Sequence, residues 1–208
     1  MRLVKSRTLI LLFIISGASV SLLYVLNGNG ITQSYINEIT KERKDKDEFM
    51  QNVQDSPFAN TKDSFEGLKY FAPDIKFRIQ ASLNYIQKRE TFTLVTNIGD
   101  AQSYLTYAWA EFDLDNLHNR LLILEVTDPG PEQGKLFLAF ADQTSANETY
   151  GAGRYLDIKK VPGASTLTLD FNKAYNPYCA YTEKFVCPFP PKENLLKAGI
   201  RAGEKVYK

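Results

Sequence analysis

The sequence predicts a mainly β fold: an antiparallel β-sandwich or barrel-like domain with an N-terminal transmembrane helix, a flanking charged helix and an irregular C-terminal cap. Three observations carry that expectation. From about residue 67 to Phe171, apolar and polar side chains alternate with a period of two. Six or seven such runs are separated by turn residues and not by helical patterns, which argues against a parallel α/β sheet. A hydrophobic content of 44% and an aromatic content of 12% suffice for a packed core.

Residues 1–30 form the first segment. Arg2, Lys5 and Arg7 precede an uncharged run from Thr8 to Leu26. As a helix that run spans about 28 Å, close to the hydrocarbon thickness of a bilayer. Positive residues stand before it and none follows until Lys41, which places the N-terminus inside and the rest outside the cytoplasm. Its length favours an uncleaved signal anchor. The small residues Gly17, Ala18, Ser19 and Ser21 leave a cleaved signal peptide open, in which case the chain is secreted. Either reading gives a periplasmic or extracellular domain whose one membrane contact runs through Thr8 to Leu26. The segment has no Cys, which argues against a lipid-modified lipoprotein.

Asn27-Gly28-Asn29-Gly30 reads as a linker. The second segment, residues 31–56, is the charged helix, with its helical pattern over residues 32–54. Lys41/Asp45, Glu42/Lys46, Arg43/Asp47 and Lys44/Glu48 are opposite-charge pairs at i,i+4 spacing, each worth about 0.2–0.5 kcal/mol on an exposed helix. Ile36, Ile39, Met50 and Val53 supply only a broken apolar stripe, so the expectation is a solvated stalk or flanking helix. Pro57 ends it.

Residues 57–208 are the β-rich domain. Phe77 to Ala81 and Thr91 to Leu94 alternate. Tyr104 to Phe112 is aromatic and extended, and Leu121 to Val126 is more fully buried. Asp128-Pro129-Gly130 is a turn in which Pro fixes φ and Gly accepts a positive φ. Leu136 to Ala141, Arg154 to Ile158 and Thr166 to Phe171 complete the strands. The last forty residues are irregular and dense in Tyr, Asn and Pro. A segment of that length without regular structure is functional or tied down. The chain's formal charge is +1, and beyond residue 30 it has 22 basic against 24 acidic residues, so the domain has no electrostatic footprint for nucleic acid.

Several blocks then stand in order. They are Asp142-Gln143-Thr144, Thr149-Tyr150-Gly151-Ala152-Gly153-Arg154-Tyr155-Leu156 and Asp170-Phe171-Asn172-Lys173-Ala174-Tyr175-Asn176-Pro177-Tyr178-Cys179-Ala180-Tyr181. Cys187-Pro188-Phe189-Pro190-Pro191-Lys192-Glu193-Asn194 and Ile200-Arg201-Ala202-Gly203-Glu204-Lys205 follow. In these the chain resembles the prokaryotic family catalogued as domain of unknown function 1684. The strong blocks cover about residues 137–205. Ser56-Pro57-Phe58 and Phe65-Glu66-Gly67-Leu68 extend the likeness to about residue 45. One departure stands out: the family pattern leads to Gly where this chain has Ala146. The resemblance implies a class and a location, not a reaction.

Cys179 and Cys187 form a disulfide by default in an oxidising compartment, worth about 2–3 kcal/mol for so short a loop. Two buried thiols, or a redox pair, are the alternatives. A metal is poorly supported, because His118 is the only His and lies in a hairpin turn. Gly151-Ala152-Gly153 lacks the phosphate-binding spacings and reads as a tight turn. No motif implies a nucleotide, flavin or metal cofactor.

The remaining polar tail residues allow two readings. Asp142, Arg154, Asn172, Tyr175, Asn176 and Arg201 either satisfy one another and the loop backbone or converge on a ligand that is sugar-like or cationic. Asp170, Glu193 and Glu204 either form structural ion pairs or supply acid and base. Convergence on a ligand makes the chain a ligand- or partner-binding module of the cell envelope. Acid and base chemistry makes it a metal-independent hydrolase, in which two of those carboxylates face one cavity at about 5–10 Å. A purely structural envelope protein is the third possibility.

Overall fold

The structure, a computed structural model, describes residues 32–59 and 65–208. The chain divides into two compact units, residues 1–41 and 42–208. In the first, residues 32–41 are helical. That helix, α1, runs over residues 32–52, so its second half opens the second unit. The run from Thr8 to Leu26 lies outside the described residues. Among the described residues no helix is long and apolar enough to cross a membrane.

Seven strands follow: β1 (Arg78–Tyr85), β2 (Thr91–Val95), β3 (Ala101–Leu114), β4 (Leu117–Val126), β5 (Leu136–Phe140), β6 (Arg154–Ile158) and β7 (Thr166–Asp170). They form one antiparallel sheet in the order β6-β5-β4-β3-β1-β7, with β2 also on β3. The edge strands β6 and β7 come into contact without pairing, so the sheet curls into a half-barrel. The barrel-like alternative therefore holds. The sandwich does not, because all the described strands belong to one sheet.

Strand β3 explains the topology. β4 lies along one side of it. On the other side, β2 pairs with residues 101–105 and β1 with residues 108–111. Between these partners the register shifts at Tyr107. A bulge adds one residue, and one residue reverses the faces. Tyr104 accordingly joins Leu94, Leu122 and Leu124 on the outer face, while Ala108, Ala110, Phe112 and Leu114 enter the main core. The β3–β4 turn places Asp115 and Asn116 both at positive φ, the two-residue hairpin that suits sheet twist. His118 sits there exposed, 2.9 Å from Asp113.

The main core lies inside the curl, with Ala81, Leu121, Ile123, Leu138, Phe140, Leu156 and Leu169 from the strands. The tail closes it. Leu196, Ala198, Ile200 and Ala202 are buried, with Lys197 and Arg201 exposed and Gly199 half-buried between them. The tail thus keeps the strand period of two, although no ladder assigns it to the sheet. It runs along the chain after β5: the Ala141 N–H donates to the Asn194 carbonyl (3.0 Å), and the Leu196 N–H to the Ala141 carbonyl (2.8 Å).

The part of α1 within the second unit is a flanking helix and not a solvated stalk. Lys44 and Glu48 do approach along the helix, at 3.6 Å. But Arg43 donates to the carbonyls of Phe71 (2.7 Å) and Asn172 (3.2 Å), and Lys46 reaches Glu204 at 2.6 Å. Asp47 accepts from the Leu68 N–H at 3.1 Å, and Glu42 pairs with Lys173 at 2.7 Å. Met50 packs with Phe58 and Tyr207. Positions 42, 43, 46, 47 and 50 share one helical face. Its docking is mostly polar, which a count of apolar residues overlooks.

Candidate functional site

The polar residues of the tail fall into four braces. The first is Arg154, 1% exposed, at the start of β6. Its Nη2 donates to Asp142 Oδ2 (2.9 Å) and to the Ile200 carbonyl (2.8 Å), and its Nη1 to the carbonyls of Ala202 and Glu204. In an extended chain every second carbonyl points the same way. One guanidinium therefore holds residues 200, 202 and 204 together. Asp142 Oδ1 accepts from the Thr144 N–H and hydroxyl and from the Ile200 N–H. Burial pulls the Arg154 guanidinium down from its ordinary value, and the facing Asp142 carboxylate opposes that shift.

In the second brace, Asn172 takes the Asp74 N–H on its Oδ1 (2.9 Å) and gives its Nδ2 to the Asp74 carbonyl (2.7 Å). Asp170 accepts from the Asn172 N–H, which caps a single 3-10 turn, and lies 3.7 Å from Arg78. The third brace is Asn194. The strands β4 and β5 pair only at Leu124/Phe137 and Glu125/Leu136. Beyond that point the Asn194 amide stands between them. It accepts from the Leu122 N–H (2.6 Å) and donates to the carbonyls of Leu122 (2.9 Å) and Ala139 (2.8 Å). The fourth is Glu204, whose carboxylate accepts from Lys46, the Asn176 N–H and the Tyr181 hydroxyl. Burial, then the Glu204 charge, pushes the Tyr181 phenol far up, so it stays a donor.

Of the three carboxylates expected to supply acid and base, two serve as braces. Asp170 and Glu204 have separate partners, and Glu193 Oε2 is buried without one. Arg201 is exposed and holds Glu148 at 2.9 Å. Cys179 and Cys187, expected as a disulfide pair, stand here as free cysteines side by side, with the Cys179 N–H donating to Cys187 Sγ at 3.3 Å. Among the described residues, no group of three or more His, Cys, Asp or Glu is placed to hold a metal ion.

One tail candidate, Tyr175, faces a cleft. Backbone bonds between Tyr155 and Tyr175, at 2.8 and 3.0 Å, cover the free edge of β6. This aligns a row of rings across the outer face of the sheet. Tyr104 stacks on Phe137 at 5.1 Å, Phe137 meets Tyr155 edge-on at 4.9 Å, and Tyr155 meets Tyr175 at 6.0 Å. Above this row opens a cleft of about 760 Å³, walled by residues 128–135 after β4 and residues 157–160 at the end of β6. That volume is typical of small-molecule sites. The Tyr175 hydroxyl donates to Asp157 at 2.8 Å. Burial first, then the Asp157 charge, keeps that phenol protonated. Burial also pushes Tyr104 up to about 12.

On the rim, Glu132 pairs with Lys135 (2.7 Å) and Lys160 with Glu125 (2.5 Å). Asp128 and Lys159 also line the cleft, and among the described residues neither carries an ion pair. Sequence reasoning missed Tyr104, Phe137, Asp128, Asp157 and Lys159. Periodicity puts Tyr104 and Phe137 on strands but does not say which rings become neighbours. Asp128-Pro129-Gly130 reads as a turn whether or not it walls a cleft.

Comparison with known proteins agrees with this fold. A family model described as "Protein of unknown function (DUF1684)" matches residues 63–205. A solution NMR structure of the uncharacterized protein from gene locus rrnAC0354 of Haloarcula marismortui is 32% identical, with a TM-score of 0.63. The match covers 85% of this chain and 96% of that one. No curated protein matches the chain.

Proposed function

Because the chain belongs to the family described as protein of unknown function DUF1684, a membership that brings no reaction with it, we propose from the site itself that the domain is a binding module for a small, ring-bearing polar molecule of the saccharide class. The observation that carries this reading is the aromatic floor of Tyr104, Phe137 and Tyr175 under a rim holding Asp128, Asp157 and Lys159. Flat aromatic faces accept the C–H face of a sugar ring, and the carboxylates and ammonium accept and donate to hydroxyls. The rim's mixed sign does not select a strongly charged ligand.

Calorimetric titration with a panel of mono- and disaccharides tests the proposal, with inorganic phosphate and a quaternary ammonium as controls. The expected result is saccharide binding weakened about tenfold by Asp128→Asn and by Tyr175→Phe, the scale of one hydrogen bond to a charged group. Binding of phosphate or ammonium alone, or saccharide binding unchanged in both variants, contradicts it.

The module is also proposed to work outside the cytoplasm. The charge asymmetry around Thr8 to Leu26 supports this, with the domain tethered, or secreted after cleavage. A C-terminal alkaline phosphatase fusion to the full chain should be active in a bacterial host. An inactive fusion whose fluorescent-protein counterpart glows in the cytoplasm would refute the location.

A further inference from the structure

Cys179 and Cys187 are set on different supports. Cys179 lies half-buried in the single 3-10 turn Tyr178–Ala180. Cys187 is buried and held to the β2–β3 turn by Asn97: the Cys187 N–H donates to Asn97 Oδ1 (2.7 Å), and the Asn97 N–H to the Cys187 carbonyl (3.1 Å). The turn brings the Cys179 N–H to 3.3 Å from Cys187 Sγ, so the two sulfurs are neighbours although seven residues lie between them. The Tyr150 hydroxyl stands 3.9 Å from Cys179 Sγ.

We infer that this pair is a thiol–disulfide exchange site for a low-molecular-weight disulfide, with Cys179 as the attacking sulfur and Cys187 as the resolving one. Access divides the roles, because an external disulfide reaches half-buried Cys179 and not buried Cys187. Acidity divides them the same way. The Cys187 thiol hydrogen-bonds to Cys179 and lowers it to about 7, with Tyr150 helping and burial opposing. That same bond, followed by burial, pushes Cys187 far up. Near neutral pH a thiol titrating there is the effective attacker.

The exchange balances as follows. Cys179, having lost its proton to solvent, attacks one sulfur of R–S–S–R, forms a mixed disulfide and expels RS⁻, which takes up a proton. Cys187 then gives up its proton and attacks the Cys179 sulfur. The Cys179–Cys187 bond forms, and the second RS⁻ leaves and is protonated. The protein dithiol loses two electrons and two protons, and the small disulfide becomes two thiols. The new bond ties the 3-10 turn to the β2–β3 turn.

The test uses the full chain with oxidised and reduced glutathione as the redox pair, acid quenching and peptide mass mapping. In the wild type, brief alkylation at pH 7 should mark Cys179 at least about tenfold faster than Cys187, with the Cys179 rate rising through about pH 7. Oxidised glutathione should produce an internal disulfide that excess reduced glutathione reverses. Cys187→Ser should accumulate the mixed disulfide on Cys179, and Cys179→Ser should react at least about tenfold more slowly. Faster labelling of Cys187, or glutathione trapped on Cys187 in the wild type, overturns the assignment. So does a pair still reduced in fully oxidised buffer. The wild-type measurements stand alone if either variant fails to fold.

Discussion

Ala146 is a non-glycine residue at φ 67°, exposed in the turn after Asp142. The left-handed region crowds a Cβ against its own backbone. Ala146→Gly is therefore expected to raise stability by about 0.5–1 kcal/mol, read as a rise of about 1–4 °C in the thermal midpoint. An unchanged or lower midpoint would contradict that account of the turn. Asn194→Ala acts oppositely. It strips the bonds that the side-chain amide makes to Leu122 and Ala139 and leaves the buried Leu122 N–H without an acceptor, at a cost of about 2–4 kcal/mol in denaturant unfolding. A loss below about 1 kcal/mol would mean that water or a backbone shift replaces the amide. Sequence reading singled out Asp142, Arg154, Asn172, Asn176 and Glu204 because polar side chains crowd an irregular segment. What each one braces depends on backbone groups as far away as Asp74, and local spacing does not contain that information.

At the scale of elements, the strands were the most legible part, because alternation survives wherever one face is buried. The bulge at Tyr107 was not, since it trades one register for another without changing composition. Helix α1 was legible as a charged flanking helix, but the polar contacts by which its second half docks, through Arg43, Lys46 and Asp47, were not. Lys46→Ala should cost about 1–3 kcal/mol, because Glu204 stays buried without its cation. The double variant with Glu204→Gln should lose less than the two single losses added, with a coupling above about 0.5 kcal/mol. Strictly additive losses would return α1 to the status of a loosely attached element. The tail is held as firmly at Gly203, where φ is 74° and an added Cβ would stand 2.5 Å from the Ala174 carbonyl oxygen.

For the whole molecule, one arrangement accounts for both the braces and the cleft. A half-barrel leaves β6 with an open edge, and an exposed edge invites pairing with other chains. Tyr175 covers that edge at Tyr155 and completes the ring row of the cleft in the same step. The tail thus acts as a structural cap along most of its length and as a wall of the cleft at one residue. The measurement that tests this most directly is residue-resolved NMR of the domain during saccharide titration. The account predicts shifts gathered at Tyr104, Asp128, Phe137, Asp157, Lys159 and Tyr175, while the amides of Asp142, Arg154, Asn194 and Glu204 stay fixed. Shifts centred on that second group, with the cleft unmoved, would contradict it.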